Sequence, residues 1–453
     1  MNFDQIINSI TLEELKETLL KGEYEQAKNF TSPQGKVWMQ EIEKELSKEV
    51  IARDWDENAL TNIAYFARAI ATMHPGWEEW DKYPRLKKEK EQFKSAVEKL
   101  YNQQFSLADE KRLKGTDLLA ELYKIAGLLR DYHLEVFATE TLENGEIHLF
   151  HPIDQKTKLK YRPEIKGGVG RNLAFSKEFR KNDSHTRIFH LETGPLVIAE
   201  RTINGKKVGI IGLSTCEIQF EKKQAASQRN AFAQINAILQ HNLENWDNII
   251  LDVRGNWGGI PVYLQQMAEI ICGCKKGEKV LYRLEGRRRK TKEEELRTKF
   301  YYQPLSQKRY PEKSYSGKTK LLVLTDKETC SSAEFVFPLF RQYKDTLFIG
   351  ENTRGCCHYG EVSPTALPCG GFIKMGSVFN DFGNGYLMEG TGFTPDINCL
   401  GQDALQVAFD TIKKRGGLQK RLAAGIDDAG KHLSIFPKWI IPSWLWHRKQ
   451  TKK

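Results

Sequence analysis

The chain has 453 residues, 40% hydrophobic and 28% charged, with a formal net charge of +10. That balance fits a soluble globular protein of two or three domains with room for large cores. No run approaches the ~18 consecutive apolar residues of a membrane span, and the basic excess comes with no RNA- or DNA-binding motif, so nucleic acid is not an expected partner.

The positive charge concentrates at Arg85 to Lys99, at Arg287-Arg-Arg-Lys290 and at Arg448 to Lys453. The first stretch interleaves acids and reads as a solvated helix face, and the second is followed by Glu293-Glu-Glu295. The acidic N-terminal segment Met1 to Leu15 lacks the basic flank and apolar core of a signal peptide. The eight cysteines show no CxxC pairing, so neither a zinc site nor any other metal or cofactor is expected. They read as reduced thiols of a cytoplasmic protein.

In chain order, residues 1–105 carry apolar positions at helical spacing and are expected to form a helical N-terminal region. Examples are Leu12, Leu15 and Leu19, then Trp38, Ile42 and Leu46, then Leu60, Ile63, Ala67 and Ile70. Met73-His-Pro-Gly76 breaks the pattern. In residues 106–206 a helix over Thr116 to Arg130 ends in Asp131-Tyr-His133, and a β-rich segment follows. Its candidate strands are Leu134 to Phe137, Glu146 to Phe150, Arg187 to His190 and Leu196 to Arg201. Ile203-Asn-Gly-Lys206 is a hairpin turn signal. Gly167-Gly-Val-Gly170 lacks both a GxGxxG pattern and a following helix, so it is no phosphate loop.

Residues 207–420 alternate strand and helix, which implies an α/β core with parallel pairing and right-handed crossovers. Strands are expected at Val208 to Leu213, Asn248 to Arg254, Lys320 to Asp326 and Thr346 to Glu351. Helices are expected at Lys222 to Asn242, Pro261 to Ile271 and from Ser331, the last kinked by Pro338. Residues 421–453 form a tryptophan-rich, basic tail. Pro437 and Pro442 rule out a continuous amphipathic helix there, so packing or a free tail is expected ahead of membrane contact.

Loops at the carboxyl ends of parallel strands collect functional groups. Ser331 follows one such strand, where free backbone N–H groups stabilise negative charge. That place suits a nucleophile and equally suits an ordinary helix N-cap. Asp252-Val-Arg-Gly-Asn-Trp-Gly-Gly259 offers paired glycines whose N–H groups can hold an oxyanion, or simply a turn that needs glycine. Gly350 to His358 brings Cys356, Cys357 and His358, but sequence neighbours in extended backbone point apart, which is poor geometry for a thiol–imidazole pair. A serine nucleophile needs a base, and the base needs an acceptor. His133, Ser331 and Glu389 supply those three types, while His133 alone reads as a helix C-cap or surface residue.

Taken in order, Asp131-x-His133, Asp252-Val-Arg-Gly-Asn-x-Gly-Gly259, Ser331-Ser-Ala-Glu334, Gly350-Glu-x-Thr-x-Gly355 and Glu389-Gly-x-Gly-Phe-x-Pro-Asp396 resemble the tail-specific, or C-terminal processing, family of serine peptidases. The resemblance covers about residues 115–410 and implies a crotonase-like α/β core that cleaves peptide bonds in peptide or unfolded protein substrates. The branch of that family with a lysine base carries it where this chain has Cys356. The sequence therefore looks like the tricorn-like branch, which uses histidine, serine and glutamate and no cofactor. That carry-over implies Ser331 as nucleophile, His133 as general base and Glu389 as the orienting acid. The oxyanion would be held by backbone N–H groups of Ser332 and of Gly258 or Gly259. Residues 134–206 are short for the PDZ domain that many relatives carry, so a preference for C-terminal tails is not implied. A non-catalytic ligand- or peptide-binding protein on the same scaffold is the alternative.

Overall fold

The computed structural model describes residues 1–28, most of 39–50, 56–129, 131–141, 147–150, 186–191, 194–216, 222–259, 261–274, 285–288, 319–341, 343–381 and 388–414. The strands expected at 186–213 and 248–254 and those around 320 and 346 all fall within these residues, whereas the glycine-rich 167–170 and the tryptophan-rich tail lie outside them. The described residues form two compact units that interleave along the chain.

The first unit is drawn from residues 1–150, 285–288 and 358–381. Its helices are α1 (Phe3–Asn8), α2 (Leu12–Lys28), α3 (Ala59–Met73), α4 (Pro84–Phe105) and α5 (Gly115–Ala126). Asn2 and Asn58 cap α1 and α3, each accepting backbone N–H groups that the first turn leaves without partners. α3 is alanine-rich and buried nearly all round, so it forms the centre of this helical group. Aromatic rings fill the core: Phe3 stacks on Trp77 at 5.6 Å, and Phe66 and Trp77 each meet Phe93 at 5.9 Å. The sheet runs β10 (Tyr359–Ala366), β11 (Phe372–Asp381), β1 (Glu135–Thr141), β2 (Ile147–Phe150), all antiparallel, with β7 (Glu285–Arg288) also on β11.

The second unit is drawn from residues 186–274, 319–357 and 388–414. Its seven-stranded sheet has the order β12 (Ile397–Asn398), β9 (Thr346–Gly350), β8 (Lys320–Thr325), β6 (Asn248–Asp252), β5 (Lys206–Leu213), β4 (Gly194–Ile203), β3 (Thr186–Leu191). β5, β6, β8, β9 and β12 are parallel, and β3–β4–β5 is antiparallel. The unbroken apolar runs of β6 and β8 follow from burial of both sheet faces. Ile249, Leu251, Leu321, Val323 and Phe348 face one core, with Phe232, Ile235 and Leu239 of α6 (Lys222–Asn242) and Leu264, Met267 and Ala268 of α7 (Val262–Ile271). Ile250, Leu322, Leu324 and Ile349 face the other, covered by Ala404, Leu405, Ala408 and Ile412. Each such Ile, Leu, Val, Phe or Met side chain contributes about 1.5–3 kcal/mol relative to exposure. The helix expected from Ser331 is a 3-10 turn, Ser331–Phe335, that leads into the short α8 (Val336–Phe340). The mixed α/β class with a parallel sheet and crossover helices agrees with the sequence expectation.

Candidate active site

Three loops of the second unit leave the carboxyl ends of the adjacent strands β6, β8 and β9, and hydrogen bonds stitch them into one body. Asp326, at the end of β8, accepts the N–H groups of Gly255 at 3.0 Å, Glu328 at 2.9 Å and Thr329 at 3.0 Å. Thr329 Oγ1 donates to the Val253 carbonyl at 3.0 Å, and the Cys330 N–H to that of Asn256 at 3.0 Å. From the β9 loop, the Arg354 N–H donates to the Thr329 carbonyl at 2.9 Å. Arg254 clamps the loop after β6 with a bidentate contact to Asp252, at 2.9 and 2.7 Å, and a third bond to Asp403 at 2.8 Å.

Ser331 sits where this body is tightest. Its φ is +53°, and only Asn204 shares a positive φ among the described residues other than glycine. Left-handed backbone costs an L-residue about 1–2 kcal/mol, so the surroundings must hold the turn. Gly258 packs against it: a Cβ at Gly258 would lie 2.7 Å from Ser331 Cβ and 2.9 Å from the Ser332 nitrogen. The Ser332 hydroxyl donates to the Gly259 carbonyl at 2.5 Å, which ties the Ser331 turn to the paired glycines. Cys330 occupies the cap position before the turn with no side-chain cap bond. Ser331 is thus inside the turn rather than at its cap, and its N–H donates to Glu334 Oε2 at 3.0 Å and to Cys356 Sγ at 3.0 Å.

Glu334 is the group that sequence reasoning left without a role. Its fully buried carboxylate accepts the Ser331 N–H, the Thr353 hydroxyl at 2.5 Å, the Gly355 N–H at 2.9 Å and the Cys356 N–H at 2.9 Å. Burial pushes its carboxyl above the usual range, against the opposite pull of the Thr353, Cys356 and Gly355 donors. Its sequence signals were its place as an acid in the first turn and in the Ser331-Ser-Ala-Glu334 motif.

The oxyanion candidates separate by their bonding. The Gly258 N–H is already committed to Asn256 Oδ1 at 2.9 Å, while Asn256 Nδ2 donates to the Leu213 carbonyl at 2.9 Å. Among the described residues, no hydrogen bond engages the N–H of Gly259 or of Ser332.

Glu389 is buried in the turn that follows Met388, and this turn packs on the β9 loop. The Gly390 N–H donates to the Gly355 carbonyl at 2.6 Å, and the Phe393 N–H to Thr353 Oγ1 at 2.8 Å. Glu389 thereby joins the same body as Ser331 through residues 353–356. Cys356 and Cys357 are buried, and desolvation, reinforced by neighbouring groups that include Glu334 and Glu389, raises their thiols well above the ordinary value. These are not thiolates, and a thiolate is what a cysteine nucleophile requires.

The first unit carries His133, in the turn between α5 and β1. Its N–H donates to Asp131 Oδ1 at 2.7 Å, and the same oxygen lies 3.9 Å from its Nδ1. Desolvation lowers its pKa below the ordinary imidazole value, partly offset by Asp131. His358, also in this unit, binds the Asn380 carbonyl through Nδ1 at 2.7 Å and stacks on Phe379 at 5.3 Å. It is a satisfied core histidine. Among the described residues, no group of three His, Cys, Asp or Glu side chains could hold a metal ion, and no helix is long and apolar enough to cross a membrane.

In sequence, residues 207–399 match peptidase family S41. No curated protein sequence matches the chain. In structure, the chain is similar to mature CPAF, with a TM-score of 0.50 at 12% identity over 79% of this chain and 96% of that one. That likeness bears on the fold alone. The photosystem II D1 C-terminal processing protease aligns at a TM-score of 0.35 and 12% identity, over 75% of this chain and 92% of that one. The tricorn protease aligns at 0.27 and 14% identity, over 62% and 22%. Residues 207–399, less than half of the chain, thus match peptidase family S41, and that match points to a serine-type peptidase with peptide or protein substrates.

Proposed function

We propose that the chain cleaves peptide bonds through an acyl-enzyme, with Ser331 as nucleophile, His133 as general base and Glu389 as the acid that orients and supports the imidazole. The observation that carries this reading is the turn at Ser331: a serine forced to φ +53°, beside the N–H groups of Ser332 and Gly259. Backbone held in a sparsely populated region points to function when its surroundings over-determine it, and here Glu334, Gly258 and Cys356 do so.

In the reaction, Ser331 Oγ attacks the scissile carbonyl carbon while its proton passes to His133. The carbonyl oxygen becomes an oxyanion held by the Ser332 and Gly259 N–H groups, a contribution of about 3–4 kcal/mol for a single such donor. Collapse expels the amine, which takes the proton from His133. A water then repeats the sequence on the acyl-enzyme and regenerates Ser331. Gly258 takes no part as a donor, because Asn256 holds its N–H. The body of residues 207–420 is a crotonase-like core in this reading, and cysteines without disulfides suit a reducing, cytoplasmic setting.

Ser331→Ala should lower kcat on a peptide substrate by about 10⁴ or more, and Cys356→Ala by less than about tenfold. Undiminished hydrolysis by the Ser331 variant, or a larger loss from the Cys356 variant, would replace the serine reading with a thiol one.

A further inference from the structure

Resting on the reading of His133 as the base, we propose that His74 is a positioning residue that acts on it through Asp131. His74 is fully buried where α3 ends, and its N–H closes the last turn on the Ile70 carbonyl at 3.0 Å. Its Nδ1 accepts the Gly76 N–H at 3.1 Å. An acceptor at Nδ1 leaves the ring proton on Nε2, and Nε2 meets Asp131 Oδ2 at 2.8 Å. The other carboxylate oxygen of Asp131 takes the His133 N–H at 2.7 Å and lies 3.9 Å from His133 Nδ1. A single buried carboxylate thus stands between two imidazoles. One fixes its orientation; the other feels its charge.

The ring of His74 is itself held. It lies 4.5 Å from the Trp80 ring and 4.7 Å from the Tyr359 ring, and Trp80 Nε1 donates to the Tyr359 hydroxyl at 2.5 Å. A Cβ at Gly76 would approach Trp80 Nε1 to 2.7 Å and the Tyr359 hydroxyl to 2.9 Å, so glycine is needed to bring its N–H to His74. An apolar side chain would fill this aromatic pocket without burying polar atoms. What an apolar side chain would not supply is a donor to Asp131. Without it the buried carboxylate loses the donor that sets its orientation, and its charge is no longer held beside His133. The charged groups that face His133 are Asp131 and Glu135, which favour its imidazolium, and Lys374, which opposes it; His74 also faces it, as a neutral ring while Nδ1 accepts from Gly76. Lys374 is paired to Glu135 at 3.1 Å, so Asp131 is the carboxylate not otherwise neutralised by a lysine.

The test compares His74→Gln, whose amide reaches the place of Nε2, with His74→Asn, whose amide reaches only that of Nδ1, in peptide hydrolysis across pH 5–9. The Asn variant is expected to lose about 10–100-fold in kcat with KM within about twofold, and the acid limb of its kcat/KM profile should move to lower pH. The Gln variant should regain most of the rate and the position of the limb. Equal loss in both variants, or a loss in the Asn variant with an unmoved limb, would reduce His74 to a packing residue. Ring nitrogen NMR of the unmodified protein gives a second readout that no misfolded variant can obscure: a proton found on Nδ1 of His74 overturns the proposal. Wild-type rates for His133→Ala would instead overturn the reading of the base, whatever His74 does.

Discussion

Gly258→Ala probes the nucleophile turn without touching any group that takes part in bond making. The new Cβ would stand 2.7 Å from Ser331 Cβ, 2.9 Å from the Ser332 nitrogen and 3.0 Å from the Cys330 carbonyl oxygen, on backbone whose φ is +98°. Two of those three neighbours are backbone atoms of the turn itself, so no side-chain rotation relieves the contact. To recover an ordinary separation of 3.4 Å, Ser331 must retreat by about 0.7 Å. Overpacking costs about 1–3 kcal/mol, and the left-handed backbone about 1–2 kcal/mol more for alanine. The sum, roughly 2–5 kcal/mol, corresponds to a Tm drop of roughly 5–15 °C. A displaced nucleophile should also cost about 10–100-fold in kcat/KM. Gly273→Ala is the control, since Gly273 has φ +64° with nothing within 4 Å of its added Cβ. It should show the backbone penalty of about 1 kcal/mol and keep full activity. Thermal melts and peptide hydrolysis on both variants decide the matter. If the two variants match in Tm and rate, the close approach of Gly258 does not shape the turn.

Glu334→Gln keeps the volume of the side chain but turns an amide NH₂ toward donors. At least one backbone N–H among Ser331, Gly355 and Cys356 then loses its acceptor. Chemical denaturation should show a loss of about 2–4 kcal/mol, with kcat/KM down about a hundredfold, and unchanged values would remove Glu334 from the architecture of the turn. The pH profile reports on His133. Burial holds its pKa below the ordinary 6.5, and in the proposed mechanism the neutral ring is the base. Activity should therefore persist somewhat below pH 6.5 and fall only as pH drops through the lowered value. The same sign applies to stability: the contribution of His133 is complete above the unfolded pKa and is lost as pH falls through the folded one. An acid limb above 6.5 that His133→Ala leaves in place would assign it to another group.

Much of the second unit was legible because parallel strands buried on both faces must be continuously apolar, as in Asn248-Ile-Ile-Leu251 and Lys320-Leu-Leu-Val-Leu324. Ser331, Gly259 and Ser332 could be placed at strand ends by the same grammar. The bond from the Gly258 N–H to Asn256 Oδ1 could not be read, because it depends on which way the Asn256 amide turns. Glu334 was hidden for a similar reason. A first-turn acid ordinarily faces solvent or caps its own helix, and only the return of residues 353–356 from β9 makes it a four-donor acceptor. His74 looked like no more than the end of a helix before Pro75. Its link to Asp131 joins positions 57 residues apart, and no local pattern marks such a pair. The 3-10 form of Ser331–Phe335 likewise follows from tertiary hydrogen bonds rather than from helix propensity.

The most direct test of the central claim is covalent labelling of the intact protein by a fluorophosphonate probe, with the modified residue mapped by mass spectrometry. The account predicts a single adduct on Ser331, absent from Ser331→Ala and slowed at least a hundredfold in His133→Ala. An adduct on another residue, or no adduct on a protein that still cleaves peptides, would contradict it.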